Sequence, residues 1–420
     1  MKFKPHPLLY GADITFYSSF KLSVTMIDPV NHAVLSRAVA AAMSRYPYFS
    51  ISPEKSGNRI VLTFNPRPVS VFNDGRCAVL GSEECNGHLL FFGCEKNQIF
   101  LNASHYIADG IGIDPLLKTV LYLYVSERYG TDGLRAEHIA LPNEPVAEEE
   151  YAYPFPETPF EIEDTQLTRK APGSVYGLDP DTFDGDGLYA YHLHIPQRNM
   201  MSVASPLDGS PVSFLIVMMY RAFCALDEAL ELPVAAHVQH QYRHALRSPF
   251  NRHSLVSYIP VFLTSRTKNL PSETLNTILR GQIILGSELS EELKAINRII
   301  NALPQNTDAS LSDIKSTMRQ YAERSIQGKT FGISYVGKMD WCGLDRYVKD
   351  IHVYIGEKQT KNMMLIEIMT IGEKFTVNLM QSGRGRAYVD AFMEQLKLAD
   401  IPVSLVGEER YTLCDTVIPD

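Results

Sequence analysis

The sequence is short of several things, and each shortage removes a class of function. Its six cysteines, Cys77, Cys85, Cys94, Cys224, Cys342 and Cys414, form no C-x-x-C pair. They read as the reduced thiols of a cytoplasmic protein, with neither a disulfide framework nor a zinc site. Basic tracts are missing: 39 Lys plus Arg face 48 Asp plus Glu, a formal charge of −9. No surface of that kind releases many counterions from a phosphate backbone, so a nucleic-acid partner is not expected. The longest apolar run, Phe214 to Tyr220 (FLIVMMY), is far short of a membrane span. The N-terminus (MKFKPHPLLYGADITF) lacks the apolar centre and small-residue cleavage site of a secretory signal. There is no short-period repeat, and no G-x-S-x-G elbow, so a serine hydrolase of the α/β type is not supported.

What remains is ordinary globular material, 45% hydrophobic, 21% charged and 10% aromatic over 420 residues, enough for two or three folded units. The excess acid is local. Glu144 to Asp164 (EPVAEEEYAYPFPETPFEIED) holds eight acids and no base, and 48 minus eight leaves 40 acids against 39 bases elsewhere. With Pro142, Pro145, Pro154, Pro156, Pro159 and Pro172 it reads as an extended, solvated strap, residues 146–186, joining a first unit (1–145) to a second (187–420). A docking patch for a basic partner is the less plain alternative.

Hydrophobic spacing predicts a helix over 31–46, capped by Asn31 and stopped at Tyr46-Pro47. Strands follow at 60–64, 88–92 and 99–103. A second helix begins where Asp114 can cap it and Pro115 fits its first turn, and Gly130 closes it. After the strap, strands are expected at 188–195, 234–243, 256–263, 331–336, 351–355, 364–371 and 375–380. Helices are expected at 210–230, 287–303, 311–325 and 386–398. The repeated mixture of strands and covering helices predicts two α/β sandwiches.

The segment that carries chemistry is Ser104-His105-Tyr106-Ile107-Ala108-Asp109-Gly110, at the end of a strand. A histidine at such a junction projects its ring into a cleft while its backbone stays anchored, and its near-neutral pKa suits it to deprotonate a hydroxyl or amine. Asp109 can orient the ring or pair with a cation, and Gly110 removes a side chain where backbone and a long ligand approach. The spacing alone occurs by chance in many chains, and by itself it favours a structural or surface histidine.

In its strand–loop–helix setting this segment resembles the H-H-x-x-x-D-G signature of the chloramphenicol acetyltransferase-like superfamily, which includes condensation domains, polyketide-associated acyltransferases, alcohol acetyltransferases and the plant BAHD enzymes. Tyr46-Pro47-Tyr48-Phe49 is similar to the end of the family's opening helix, and Ser334-Tyr335-Val336-Gly337 to its S-N-x-G strand end. The likeness runs from about residue 7 to 405. It implies two α/β sandwich lobes forming a V, with a tunnel between them that thioester donor and acceptor enter from opposite sides. His105 would then be the general base, with no covalent acyl-enzyme. Asp109 would be structural and paired with an arginine of the second lobe, for which Arg243 in Q-Y-R-H-A-L is the candidate. Two family residues are replaced: the first histidine is Ser104 and the asparagine is Tyr335. That leaves Ser334, Tyr335 or Ser104 to face the oxyanion or the tunnel. There is no D-F-G-W-G segment of the plant type. The donor implied is acyl-coenzyme A, or an acyl carrier protein. The acceptor is a small alcohol or amine, and no cofactor is held. A monomer is expected, because two internal lobes complete a site that smaller relatives build between subunits. A non-catalytic binding protein on the same scaffold is the alternative from another class.

Other clusters read as less informative. His192 and His194 share a strand face, without a third metal ligand. Of His237, His240 and His244, one is a candidate to line the tunnel. Gly383-Arg384-Gly385-Arg386 lacks the G-K-[ST] ending of a phosphate loop and reads as a turn, with Arg384 and Arg386 as candidates to meet a coenzyme A phosphate. Gly110-Ile111-Gly112 is too short for a dinucleotide fingerprint.

Overall fold

The computed structural model describes residues 2–12, 19–162, 172–303, 309–325, 327–356 and 362–419, and part of the strap, 163–171, lies outside them. Two main sheets organise the chain. A five-stranded sheet runs in the order Val348–Tyr354, Ser19–Met26, Gln98–Ser104, Leu90–Glu95, Val71–Phe72. A seven-stranded mixed sheet runs Val256–Leu263, Val234–Gln241, Phe331–Tyr335, Met364–Ile371, Lys374–Ser382, Leu188–Pro196, Ser404–Tyr411. A small three-stranded sheet, Lys2–Phe3, Arg59–Phe64 and Ile51–Ser56, accompanies the first. Among the described residues this is a two-lobed mixed α/β architecture with no closed barrel.

Each main sheet has its own core. The first is covered by His32–Arg45 and Gly110–Tyr129, whose Leu35, Ala42, Leu116, Val120 and Tyr124 are fully buried among Leu101, Ala103 and Leu90. Asn31 starts the former helix by accepting from the Val34 amide at 3.2 Å. The second core is built on Pro211–Leu226, hydrophobic all round and buried from Ser213 to Tyr220, as a helix between other layers must be. Ser210 caps it reciprocally with Ser213 at 3.1 Å, and Pro211 occupies the first turn, where its missing N–H costs nothing. No single helix among the described residues is long and apolar enough to cross a membrane.

Three features correct the sequence reading. The second helix starts at Gly110, not after Asp114: Asp109 Oδ1 accepts from the Gly112 amide at 2.7 Å and takes the cap, leaving Pro115 inside the helix. The strand Ser19–Met26 and the helices Gln197–Ala204 and Ser272–Gly286 add to the predicted set. The strap is not wholly solvated. Glu148–Tyr151 is helical and Glu150 is buried, accepting from Arg45 Nη2 at 2.8 Å and from Tyr48 Oη at 2.7 Å, while its carbonyl takes the Arg252 amide at 2.8 Å. Burial pushes the Glu150 carboxyl up, but these donors outweigh it and hold it below the usual range.

Candidate active site

The motif strand Gln98–Ser104 ends against Ser19–Met26, with Ser104 opposite Ser19, and the chain then turns through His105 to Ile107 before the helix begins. His105 is half-buried and looks into a cavity of about 480 Å³. The walls come from both lobes: Phe20, Leu117 and Gly110 from the first, Gln239, Val256, Ser334, Tyr335 and Met369 from the second. Phe20 meets the imidazole edge-on at 5.3 Å between centroids, and Nδ1 lies 3.2 Å from Ser254 Oγ. Placing the ring hydrogen at Nδ1, where Ser254 can accept it, leaves Nε2 with a free lone pair. Burial pushes the His105 pKa below its ordinary value, against the Asp109 charge and a hydrogen bond to its own carbonyl, which raise it. The imidazole is therefore neutral, and able to accept a proton, at neutral pH.

Asp109 is 1% exposed and fully engaged. Arg243 Nη1 donates to Oδ2 and Nη2 to Oδ1, both at 2.8 Å; the Leu255 amide donates to Oδ2 at 2.8 Å and the Gly112 amide to Oδ1. Arg243 gives two further donors, Nε and the second Nη2 hydrogen, to the carbonyls of Asn251 and His253, at 3.0 and 2.9 Å. A bidentate pair satisfied on both sides, across 134 residues of sequence, fixes the loop to the second lobe. With four donors on its two oxygens, Asp109 has no lone pair left to relay a proton from the ring.

The glycine the fold requires here is Gly112: a Cβ there would lie 2.2 Å from the Arg252 carbonyl oxygen, so the first turn of the helix touches the facing backbone. A Cβ on Gly110 would meet only Val336 Cγ1, at 3.4 Å. Ser104 does not reach this cavity. It is fully buried, its hydroxyl has no partner among the described residues, and it does not line the cavity, because alternation along the strand turns it away from the side His105 faces. Ser334 and Tyr335 do line it, and burial raises the Tyr335 phenol.

Sequence reasoning missed several residues. Glu367, directly across the ladder from Ser334, also lines the cavity and is 5% exposed; burial pushes its carboxyl up to about 8, against a hydrogen bond with Ser334. It is thus a neutral acid at pH 7. His6 and His253 lie near His105 and are held neutral by burial, at about 3 and about 4. Ser254 and these histidines sit in irregular segments without periodicity, so no sequence pattern marks them. His240 lines the cavity and holds Glu292 at 2.6 Å. His192 and His194 take separate carboxylates, Glu409 at 2.9 Å and Asp350 at 2.6 Å. Arg384 and Arg386 lie against Glu408 and Asp390.

No protein-family model matches the sequence, and no curated protein matches it. Solved structures do. TRI101 of F. sporotrichioides, complexed with coenzyme A and T-2, is 11% identical with a TM-score of 0.60 over 97% of this chain and 100% of that one. Polyketide synthase associated protein 5 from Mycobacterium tuberculosis is 12% identical with a TM-score of 0.56 over 93% and 96%. The condensation domain of the Monacolin K polyketide synthase MokA is 10% identical with a TM-score of 0.52 over 95% and 97%. At these identities what is common is the arrangement of the backbone, nearly end to end. The chain has the two-lobed mixed α/β fold of TRI101 and of the MokA condensation domain.

Proposed function

We propose that the protein is an acyltransferase that moves an acyl group from a thioester, acyl-coenzyme A, to a hydroxyl or amine of a small acceptor, acting as a monomer whose two lobes both wall the site. His105 Nε2 takes the proton of the acceptor as its oxygen or nitrogen attacks the thioester carbonyl. Ser254 on Nδ1 keeps the ring in the tautomer that this needs. The tetrahedral intermediate puts negative charge on the former carbonyl oxygen, for which the Ser334 hydroxyl, backed by the neutral Glu367, is the donor, with Tyr335 beside it. Collapse breaks the carbon–sulfur bond, and the leaving thiolate takes the proton from the imidazolium. Asp109 and Gly110 hold the loop and carry no proton.

The observation that carries this reading is one neutral imidazole, fixed at one nitrogen and open at the other, on a cavity walled by both halves of the chain. The test is thiol release from acyl-coenzyme A with a panel of alcohols and amines. His105→Ala is expected to lose about 10²–10⁴-fold in kcat/KM; equal turnover removes His105 from the mechanism. The likeness to the MokA condensation domain favours a carrier-protein thioester as second reading, and capture of the chain by acyl-loaded carrier protein, with no turnover of acyl-coenzyme A, decides for it.

A further inference from the structure

Two of the six cysteines, 337 positions apart, meet away from the cavity. Cys77 Sγ lies 2.7 Å from Cys414 Sγ, although both are free thiols. Their backbones are held independently of the sulfurs. The segment after Cys77 and the segment after Cys414 form a parallel bridge, Leu80 with Thr416. In it the Leu80 amide donates to the Asp415 carbonyl at 2.8 Å and the Val417 amide to the Leu80 carbonyl at 2.9 Å. On the inner side Ser19 Oγ donates to the Cys414 carbonyl at 2.5 Å, and Cys414 Sγ rests 3.5 Å from Asn102 Oδ1. The pair is asymmetric in access: Cys77 is exposed and Cys414 is 1% exposed, in a small apolar cluster with Ala78, Leu80, Cys85 and Phe91.

We propose that Cys77 and Cys414 are a reversible redox pair that closes to a disulfide by exchange with a small-molecule disulfide, covalently fastening the C-terminal tail to the first lobe. Exposed Cys77 is the entry point. Its thiolate attacks one sulfur of the reagent RSSR, forming Cys77–S–S–R and releasing RS⁻. Cys414 then attacks Cys77 Sγ, displacing the second RS⁻, and the two thiol protons end on the two released thiols. The sum is two protein thiols plus RSSR giving one protein disulfide plus two RSH. The hydrogen bond with Cys414, a second one with Thr412 and the nearby Lys21 ammonium hold the Cys77 thiol below its ordinary value, against burial, which favours it as the attacking sulfur. The same contact, with burial, raises Cys414, so Cys77 is the sulfur that attacks the reagent first. The two cysteines lie too far apart in sequence for any spacing rule to pair them, so the sequence alone gives six unpaired thiols.

The test treats the full chain with oxidised glutathione and then with dithiothreitol. Titratable thiols in denaturant are expected to fall from six to four and return to six, and a non-reducing peptide map is expected to join the fragment holding Cys77 to that holding Cys414. The midpoint of thermal unfolding rises on oxidation and falls back on reduction, because the bond closes a very long loop. Cys77→Ser keeps five thiols under the same treatment, and Cys414→Ala accumulates a glutathione adduct at Cys77 that is not resolved. Cys77 is on the surface, so the serine variant folds and carries the test even if the alanine variant does not. Six thiols persisting through oxidation, a stable adduct at Cys77 in the unmutated chain, or a crosslink through another cysteine each overturn the proposal. None of these readouts depends on acyl transfer.

Discussion

Replacing Asp109 with Asn tests whether this carboxylate is a fastening or part of a proton path. Two oxygens receive four donors: two from Arg243 and the amides of Gly112 and Leu255. An amide keeps one oxygen. Whichever way it is turned, its NH2 faces two donors, one of them from Arg243, so two hydrogen bonds are lost and two N–H groups are driven against it. The Arg243 guanidinium, 4% exposed in its side chain, is left without a counter-charge. Breaking a buried pair from one side costs about 3–5 kcal/mol, a shift of roughly 10²–10³ or more in the folding equilibrium. Urea unfolding, followed by circular dichroism, measures the cost. Adding Arg243→Met to the variant removes the stranded charge and is expected to restore part of the loss. Activity in the surviving folded fraction falls through displacement of the loop. Because the Asp109 charge raises the His105 pKa, its removal lowers that pKa further, moving the acid limb of the rate profile to lower pH. An Asp109→Asn chain with unchanged stability and a large loss of kcat at every pH would refute the fastening role.

Glu367→Gln works in the opposite direction. The unfolded carboxyl ionises near 4.5 and the folded one near 8, so the folded state holds the extra proton between them and stability falls as pH rises through that window. At pH 7 the variant is therefore expected to be more stable by up to about 3 kcal/mol, with little difference at pH 4; equal stability at both pH values would contradict a buried neutral acid. Gly112→Ala forces a Cβ against the Arg252 carbonyl and is expected to cost about 1–3 kcal/mol, while Gly110→Ala costs little; thermal unfolding of the two side by side decides, and equal midpoints would refute the close approach.

The sequence made the long periodic helices and the apolar strands legible, because a buried stripe must repeat at the period of its element. The strand SFKLSVTM at Ser19–Met26 was hidden by its polar residues, although it is paired on both sides in its sheet. Two acids competed for the cap of the motif helix. Local chemistry favoured Asp114 before Pro115, but Asp109 also binds Arg243 from the other lobe, and that tertiary pair decides where the helix begins. The nearness of Asp109 and Arg243 was suggested by family resemblance and by nothing in composition or periodicity. Glu150 shows the reverse: an acid in an acid-rich run reads as solvated, and only its meeting with Arg45 and Tyr48 buries it. Ser254 and Glu367 had no signal, since what marks the first is the His105 ring it meets and what marks the second is the cavity it lines.

The strand Val348–Tyr354 lies late in the chain, yet it completes the edge of the first sheet, with Val353 beside Leu22 and Ile351 beside Val24. During synthesis the first lobe must therefore wait, its Ser19–Met26 strand carrying an unpaired edge, until about three hundred further residues have emerged. An open edge of that kind is a template for pairing with another chain. A fragment cut at the strap would inherit this exposed edge permanently, so separate expression of the first half is expected to yield aggregates, and mixing the two halves during refolding to suppress them.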